Sequence, residues 1–387
     1  MRTAVIVHTV RTPIGKNGGK LAGWHPVDLA AEVLGALVAR SRIDPGLIED
    51  VIMGCTMQVG EQAMNIGRNA VLAAGFPESI PGTTVDRQCG SSQQAIHFAA
   101  QAVIAGANDV VIAGGVESMS RVPIGSTTGE GFGNPYGGRL GARYRSVGGF
   151  VHQGVSAEMI AEKWGLSRRD LDVFSLQSHQ KAAAAEDAGR FADEILPVRC
   201  GEDNAVITRD EGIRRDTSLQ KLSTLPTIFK EGGRVTAGSS SQISDGCAAM
   251  LIMEEATAVR EGFIPLARFH AFAVGGADPR IMLTAPIPTT AKILEKTGMN
   301  IDDFAAIEIN EAFASVVLAW ERELHADMTK VNVNGGAIAL GHPTGASGAR
   351  LMTTLVHELR RRRGRWGLQT MCEGGGMANA TIIESYD

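Results

Sequence analysis

Short β-branched segments alternate with alanine-rich segments along much of the chain, and this alternation constrains the fold more than any other feature. The first cycle runs from 4–7 through 29–39 to 51–53. A later cycle joins a helical segment at 93–105 to a buried type of strand at 109–115. Strands connected through helices in this way form βαβ units and a largely parallel sheet. The sequence therefore predicts an α/β fold.

The second part of the chain repeats the pattern of the first in a weaker form. An Ile-Asp pair at 43–44 and another at 301–302 each precede a strand, at spacings that differ by two residues. The segment VDRQCGSSQQA from Val85 resembles NGGAIALGHPTGASGA from Asn334, since each opens a helix and leads to a strand that ends in glycines. We therefore predict two duplicated βαβ halves, with an active site where the matching turns meet.

The segment between the two copies differs from both in composition. It is polar, rich in glycine and arginine near 139–145, and helical at 157–164 and 168–188. Because it has no low-complexity linker, we expect it to pack on the core. The predicted division is an N-terminal half at 1–119 and 237–262, an inserted loop domain at 120–236, and a C-terminal half at 263–387.

Charge and hydropathy exclude several classes of function. The 37 Lys and Arg against 42 Asp and Glu give a net charge of −5, which excludes a basic surface field for nucleic acid or anionic membrane. The apolar run at 4–7 is too short for a signal peptide, and no stretch is long enough for a membrane span, so we expect a cytoplasmic protein. The arginines at 360–363 and 365 are expected to lie at the C-terminus of a helix that Gly364 caps.

The five cysteines form no CxxC pair, and the closest two, Cys55 and Cys89, are 34 positions apart. This spacing argues against a disulfide framework or a cysteine zinc site and leaves single reactive thiols. Cys89 is predicted to lie between a strand and a helix, where the free amides and the helix dipole stabilise a thiolate. The alternative is a small buried residue at a crowded turn.

Three further residues have a chemical and a structural interpretation. His342 lies in the turn that corresponds to Cys89, where Gly341 permits a tight backbone path, and its alternative is a capping or surface group. Cys372 ends a strand before three glycines whose amides could face a developing oxyanion, or it is a buried strand thiol. Asn310 ends another strand and alternatively caps the next helix.

These segments together resemble the thiolase family from one end of the chain to the other. The resemblance is to thiolases of the degradative, actinobacterial type. It is carried by RTPIG at Arg11, DRQCGSSQQ around Cys89, AGGVESMS at Ala113, RVTAGSSSQISDGCAA at Arg234, NEAFA at Asn310, NVNGGAIALGHPTGASGAR at Asn332 and CEGGGMANA at Cys372. It implies a layered α-β-α-β-α core with an inserted loop domain.

The resemblance assigns a role to each candidate residue. Cys89 would be the nucleophile that carries the acyl group as a thioester, and His342 the base that activates it. Cys372 would be the second acid and base, acting at the α-carbon of the acetyl unit. Asn310 would orient a water that binds one thioester oxygen together with His342. The backbone amides of Cys89 and Gly374 would bind the other oxygen.

Coenzyme A enters as a substrate in this interpretation, and neither a permanently bound cofactor nor a metal is expected. The resemblance places Ser241 beside the pantetheine arm and Arg214 near the nucleotide, where Arg214 is otherwise a solvated charge. Ser239 departs from the family's usual AGNSS pattern. His152 would face the acyl pocket or cap the next helix. Gln153 stands where thiolases specific for acetoacetyl-CoA typically have Met, which puts short-chain specificity in doubt.

The expected reaction is thiolytic cleavage of a 3-ketoacyl-CoA to acetyl-CoA and a shortened acyl-CoA through an acyl-cysteine. Formation of acetoacetyl-CoA from two acetyl-CoA is the alternative. A ketoacyl synthase would need a second histidine where Cys372 stands. A non-catalytic member that binds acyl-CoA or lipid would be expected to lack Cys89 or His342. The expected partners are acyl-CoA and CoA, with no nucleic acid, and the expected assembly is a homodimer or homotetramer.

Overall fold

The computed structural model describes residues 2–128, 131, 133–201 and 205–386, and most of its strands join one ten-stranded sheet. The strands are β1 (Ala4–Arg11), β2 (Gly15–Lys16), β3 (Asp50–Gly54), β4 (Gly82–Val85), β5 (Val110–Ser118), β6 (Val198–Cys200), β7 (Ala205–Ile207), β8 (Ser244–Glu254), β9 (Ala267–Gly276), β10 (Ala306–Ile309), β11 (Trp366–Glu373) and β12 (Met377–Ser385).

The described ranges contain twelve α-helices, which lie against the faces of this sheet or in the inserted segment. They are α1 (Pro26–Ser41), α2 (Ile66–Ala73), α3 (Ser91–Ala105), α4 (Gly138–Tyr144), α5 (Gln153–Lys163), α6 (Arg168–Asp187), α7 (Leu219–Ser223), α8 (Glu255–Arg260), α9 (Pro286–Thr297), α10 (Ala314–Leu324), α11 (Ala337–Leu340) and α12 (Ser347–Arg362).

The sheet consists of two similar halves that meet edge to edge. The first half has the strand order β4, β3, β5, β8, β1, and the second has the order β10, β11, β12, β9. In chain order, β1, β3, β5 and β8 correspond to β9, β10, β11 and β12, and a single bridge from Ile307 to Val331 takes the place of β4. Short pairing of β1 with β9, at Val5–Arg268 and Ile6–Ala267, joins the halves.

The sheet is mixed, whereas the sequence predicted a largely parallel one. The pairs β3–β4, β3–β5 and β10–β11 are parallel. β8 and β12 run antiparallel to both of their neighbours. The reason is plain in the second half, where β12 follows β11 through the tight turn at 374–376, and two strands joined by a tight turn must be antiparallel.

Apolar side chains form three main cores, which lie between successive layers. Leucines and valines of α1 and α2 pack against the outer face of the first half. Residues of α5, α9 and α10 pack against the outer face of the second half. The third core contains α3 and α12, and strand residues from both halves of the sheet pack against these two helices. The predicted α-β-α-β-α layering is thereby confirmed, although β1 and β9 join the two sheets at one edge.

The chain from α4 to α7, with the small β6–β7 hairpin, leaves the sheet after β5 and returns to it at β8. In the second half the same connection is only the turn at 374–376. This segment is fixed to the core by Arg11 of β1, which is fully buried and pairs with Glu194 at 2.9 Å and Asp210 at 2.8 Å. It is therefore tied to the core through buried charges.

The arginine-rich end of α12 is a helix C-terminus, as predicted, and Arg361 and Arg362 pair with Glu358. The left-handed residue that ends this helix is Arg363, with φ of 52°, and not Gly364 as the sequence suggested. Within the described ranges, no helix is both long and apolar enough to cross a membrane.

Candidate active site

Cys89 lies immediately before α3, with Gly90 as the helix cap, and only 4% of its surface is exposed. The preceding residue, Gln88, has φ of 49°, a left-handed value that is uncommon outside glycine. The Gln88 carbonyl accepts hydrogen bonds from both the backbone N–H and the hydroxyl of Ser91, at 3.0 and 2.6 Å. A sharp turn between strand and helix thus presents the thiol at the helix N-terminus, as predicted.

The resting charge of Cys89 differs from the sequence-based expectation. Burial raises the pKa of Cys89 to about 12, and the carboxylates of Glu373 and Glu117 add to that effect. The backbone N–H groups of Cys89 and Gly374 act in the opposite direction but do not outweigh burial. Cys89 is therefore a thiol in the free protein, because desolvation exceeds the stabilisation offered by the helix N-terminus. It needs a base to become a nucleophile.

His342 is buried in the 341–346 segment between α11 and α12, and its tautomer follows from its neighbours. Its Nδ1 lies 2.6 Å from the Ser347 hydroxyl, which donates its own proton to the Pro343 carbonyl at 2.8 Å. Nδ1 must then donate to Ser347, which leaves Nε2 as the basic nitrogen. Burial, with a contribution from Arg350, lowers the pKa of His342 to about 3. The imidazole is neutral and can accept a proton.

The path of the backbone into His342 depends on glycine. Gly341 has φ of 111°, and a methyl group built there would overlap Ser244. The His342 N–H donates to the Gln242 carbonyl at 3.1 Å and lies 3.2 Å from the Ser244 hydroxyl. The predicted tight backbone path is confirmed, although α12 begins five residues after His342, at Ser347, and not directly behind it.

Asn310 joins the second half of the sheet to His342. Its Nδ2 lies 3.3 Å from His342 Nε2, and its own backbone N–H donates to the Thr370 carbonyl at 3.1 Å. Its Oδ1 is buried and has no hydrogen-bond partner among the described residues. Asn310 does not cap α10, because Phe313 immediately precedes that helix and no side chain caps it. Between the two predicted interpretations, the structure favours the one at the site.

Cys372 is fully buried near the end of β11, beside the turn in which Gly375 and Gly376 have φ of 80° and 82°. Burial raises the pKa of Cys372 well above its ordinary value, and the Cys89 thiol and Glu373 raise it further. Cys89 is therefore close enough to Cys372 for its charge to act on the ionisation of Cys372. The structure brings together Cys89, Cys372 and Gly374, and it brings Asn310 to His342.

Glu117, to which no sequence motif assigned a role, holds the segments behind the site together. Its carboxylate accepts hydrogen bonds from Thr56 N at 2.8 Å, Met57 N at 3.1 Å, Gln62 Nε2 at 2.6 Å, Thr344 Oγ1 at 2.9 Å and Gly345 N at 2.8 Å. Glu117 thus ties the segment that carries His342 to the first half. A charged residue inside the apolar strand of AGGVESMS was the available signal.

Two of the residues predicted to contact coenzyme A, Arg214 and Ser241, lie on the inserted segment and the stretch that follows it. Arg214 is exposed and lines a cleft together with Lys221, Gln242 and Gly238. Ser241, next to Gln242, is half-buried, and its backbone N–H donates to the Ala312 carbonyl at 2.9 Å.

His152 caps α5, as the alternative interpretation predicted. Its Nδ1 accepts from Gly154 N at 3.1 Å, and its ring stacks on Phe229 at 5.3 Å. Phe229 also contacts Phe313, three residues beyond Asn310. Ser239, where the family pattern differs, closes its turn by bonding the backbone N–H of Thr236 at 3.0 Å.

The duplicated fold and its paired thiols define an enzyme that transfers acyl groups, and comparisons with known proteins agree. The family model for the thiolase N-terminal domain matches residues 4–256, and that for the thiolase C-terminal domain matches residues 263–385. Within the described part of the chain, no group of three or more His, Cys, Asp or Glu side chains could hold a metal ion.

Individual thiolases are similar to this chain over almost its whole length. A steroid 3-ketoacyl-CoA thiolase, FadA6, of Mycobacterium tuberculosis is 52% identical over 99% of this chain and 94% of its own length. A 3-ketoacyl-CoA thiolase of Bacillus subtilis is 42% identical over 99% of this chain and 100% of its own. The crystal structure of an acetyl-CoA acetyltransferase of Bacillus anthracis aligns with a TM-score of 0.91 at 39% identity, over 100% and 99% of the two chains. The chain belongs to the thiolase family and is an acyltransferase.

Proposed function

We propose that this thiolase cleaves 3-ketoacyl-CoA with coenzyme A, producing acetyl-CoA and an acyl-CoA shortened by two carbons. The observation that carries the proposal is the pair of neighbouring buried thiols, Cys89 and Cys372, in a protein whose relatives are named as 3-ketoacyl-CoA thiolases. One thiol can hold the acyl group while the other handles the proton on carbon. A single thiol could not do both at once.

The first half of the reaction breaks the carbon–carbon bond. His342 Nε2 takes the proton of Cys89, whose thiolate attacks the keto carbon of the substrate. The bond between that carbon and the α-carbon breaks, and its electron pair passes to the acetyl-CoA unit as an enolate. Cys372 gives its proton to the α-carbon, which releases acetyl-CoA and leaves an acyl thioester on Cys89.

The second half transfers the acyl group to coenzyme A. The Cys372 thiolate takes the proton of the incoming CoA thiol, whose sulfur attacks the acyl carbon on Cys89. The Cys89 thiolate leaves and recovers its proton from His342, so every group returns to its starting state. These steps begin with two protonated thiols and a neutral His342. The pKa shifts of all three groups favour those states.

Oxyanion stabilisation is assigned to two sets of donors. We propose that His342 and a water oriented by Asn310 bind one thioester oxygen, and that the backbone amides of Cys89 and Gly374 bind the other. The buried Asn310 Oδ1, which lacks a partner among the described residues, supports a water at this position. The action of the Gly374 N–H on the Cys89 sulfur supports the second set.

We propose that the cleft at Arg214 receives the nucleotide part of coenzyme A and that Ser241 lies along its pantetheine arm. Arg214 and Lys221 supply two cations for phosphate groups, although Lys221 also pairs with Asp216 at 2.6 Å. His152 is proposed to border the acyl pocket, since its ring continues through Phe229 to Phe313 near Asn310. Coenzyme A is a substrate in this scheme, and no permanently bound cofactor is invoked.

We propose a division of the chain into three parts. The N-terminal half consists of 1–119 and 237–262, the segment 120–236 is an inserted loop domain, and 263–387 is the C-terminal half. The return of the chain to the sheet at β8 supports it. A homodimer or homotetramer is proposed from the family resemblance, and light scattering in solution tests it. The cytoplasmic location stays a prediction.

Two features bear on the direction and the substrate. One structural relative is an acetyl-CoA acetyltransferase, so formation of acetoacetyl-CoA is the second candidate function. The relative at 52% identity is named for steroid 3-ketoacyl-CoA, and Gln153 offers an amide where an apolar residue is typical of enzymes that prefer acetoacetyl-CoA. We therefore favour degradation of a bulky, steroid-derived acyl group.

The test follows the absorbance of the 3-ketoacyl-CoA enolate in the presence and absence of coenzyme A. The proposed function predicts CoA-dependent loss of this absorbance, faster with steroid-derived acyl chains than with acetoacetyl-CoA. Peptide mass spectrometry of enzyme mixed with acyl-CoA is expected to find the acyl group on Cys89. Acylation of Cys372 with Cys89 unmodified would reverse the two roles.

A further inference from the structure

Glu373 is a buried carboxylate beside the thiols that the proposed chemistry does not use. It is the last residue of β11, follows Cys372 directly, and has no exposed surface. Neither of its carboxylate oxygens has a hydrogen-bond partner in the described part of the chain. Glu117, the other glutamate near Cys89, is instead bonded to donors on several segments. A buried carboxylate without partners strongly favours its neutral form.

The position of Glu373 connects it with the nucleophile. Its carboxyl group lies against Gly90, and a methyl group built on Gly90 would overlap Glu373 Oε1. Gly90 is the residue between Cys89 and α3, a helix of 15 residues. The carboxyl group therefore sits at the turn that presents the thiol, and any side chain on Gly90 would displace it.

The charged and polar groups that face Glu373 come from two segments. Arg87 and Asp86 precede Cys89, and the backbone N–H of Asn379 on β12 is near, without meeting hydrogen-bond geometry. Arg87 forms no ion pair with Glu373, since its Nε has no partner among the described residues and its Nη1 reaches only the Met377 sulfur at 4.0 Å. The carboxyl group is thus not neutralised by a bound cation.

Burial shifts the pKa of Glu373, and the charge of Glu373 in turn shifts the pKa of the two thiols. Burial raises the pKa of Glu373 to about 8, although Arg87 opposes this effect. In turn, the Glu373 charge raises the pKa of both Cys89 and Cys372. At neutral pH the carboxyl group holds its proton and leaves the thiols unaffected. Above the range in which it titrates, its charge opposes the thiolates.

We propose that Glu373 is a positioning residue that controls ionisation of the two thiols, since its unpartnered carboxyl group lies against Gly90 and next to Cys372. While it keeps its proton, thiolate formation has no opposing charge, and after it loses that proton, each thiolate becomes harder to form. The inference rests on the proposed two-thiol mechanism for its catalytic meaning. Its physical content concerns only how the thiols titrate.

The experiment measures how fast iodoacetamide alkylates Cys89 between about pH 6.5 and 9.5, with peptide mass spectrometry to identify the modified residue. Wild-type protein is compared with Glu373→Gln, which removes the charge, and with Glu373→Asp, which keeps it. Glu358→Gln is the matched control, a buried glutamate on α12 that does not act on either thiol.

We expect equal rates for wild type and Glu373→Gln at about pH 6.5, where Glu373 is protonated. At about pH 9.5 the variant reacts roughly three- to tenfold faster, since one unit of pKa is a tenfold change in thiolate. Glu373→Asp and Glu358→Gln follow the wild type throughout. A merely structural role would change the rate by the same factor at every pH, so a constant ratio overturns the proposal.

Wild-type protein supplies a second test that needs no variant. The rate of a thiol with a fixed pKa rises tenfold per pH unit below that pKa, whereas the charge on Glu373 makes the rise shallower near pH 8. A uniform tenfold rise from pH 6.5 to 9.5 overturns the inference even if Glu373→Gln fails to fold. Loss of CoA-dependent cleavage or of Cys89 acylation in the wild type would instead refute the proposed function, so the two failures are distinguishable.

Discussion

His342 bonds Ser347 through Nδ1, and its unprotonated Nε2 lies 3.3 Å from the Asn310 amide nitrogen. This tautomer makes His342 a base before substrate arrives. We predict that His342→Ala lowers turnover by at least about a hundredfold, the usual scale of general-base catalysis. The control is His357→Ala, a half-buried histidine of α12 whose Nε2 lies 3.2 Å from the Thr9 hydroxyl. Near-normal turnover in a folded His342→Ala protein would remove His342 from the mechanism.

The pH dependence of the reaction tests the protonation state of the same histidine. A general base is active in its deprotonated form, so activity falls as the pH drops through its pKa. Burial lowers the pKa of His342 from 6.5 to about 3, so kcat/KM should have no acid limb attributable to His342 between about pH 5 and 7. An acid limb of kcat/KM centred near 6.5, the ordinary pKa of histidine, would contradict this prediction.

The two thiols are separated by the steps that each performs. We predict that Cys372→Ala still forms the acyl-enzyme from a simple acyl-CoA and exchanges it with CoA. Neither step moves a proton at carbon, and in this exchange neutral His342 can take the proton of the CoA thiol in place of Cys372. The variant should lose carbon–carbon cleavage and exchange of the acetyl-CoA α-hydrogens by about a hundredfold or more, or roughly 3 kcal/mol. Cys89→Ala should lose all of these reactions except a residual α-hydrogen exchange. Undiminished cleavage by Cys372→Ala would require another group for the carbanion.

Among the helices and strands, the matching turns ahead of α3 and α12 were predictable, whereas the hydrogen-bond network of Glu117 behind them was not. Strand-to-helix order and glycine placement made Cys89 and His342 candidates, and the resemblance to thiolases was needed to favour a chemical role over a structural one. The contacts of Glu117 join 56–57, Gln62 and 344–345, which are far apart in the chain. No local pattern encodes such contacts. The resting thiol of Cys89 also escaped prediction, because desolvation depends on the whole packed environment.

Glu117 connects the two halves behind the site, so its replacement should affect both stability and rate. Glu117→Gln keeps one acceptor oxygen and turns an N–H₂ group toward existing donors. We predict a loss of about 2 kcal/mol or more in the free energy of unfolding and a lower kcat, measured by urea denaturation and steady-state kinetics. Glu162→Gln, whose exposed carboxylate pairs with Lys230 at 3.3 Å, should change neither. An unaltered urea midpoint in Glu117→Gln would show that the network is dispensable.

Across the whole molecule, duplication was visible in the sequence because both halves retain related turns and strands. The antiparallel direction of β8 and β12 was missed, since the sequence of a strand does not specify the direction of its partner. The long segment between β5 and β8 occupies the connection that is a three-glycine turn after β11. Its attachment to the core lies in charged residues that are distant in sequence from one another, and such pairings become visible only in three dimensions.

That attachment gives the prediction for the molecule as a whole. Arg11 of β1 forms ion pairs with Glu194 and Asp210 of the inserted segment, and Thr354 of α12 donates to Glu194 at 3.0 Å. All three parts of the chain therefore meet at one buried cluster. Removing the cation leaves two buried carboxylates without compensation, which typically costs about 3–5 kcal/mol. We predict that Arg11→Met lowers the urea midpoint accordingly and makes the segment 120–236 more sensitive to limited proteolysis.

Two further variants separate charge imbalance from loss of packing. Arg121→Met removes a partly exposed pair with Glu61, so its effect should stay within about 1 kcal/mol. Combining Arg11→Met with Glu194→Gln and Asp210→Asn removes the uncompensated charges and should recover much of the lost stability. If Arg11→Met alone leaves both the urea midpoint and the proteolysis rate unchanged, the inserted segment is held by apolar packing. If only the triple variant is stable, the buried charges serve mainly to bring the three parts of the chain into one arrangement.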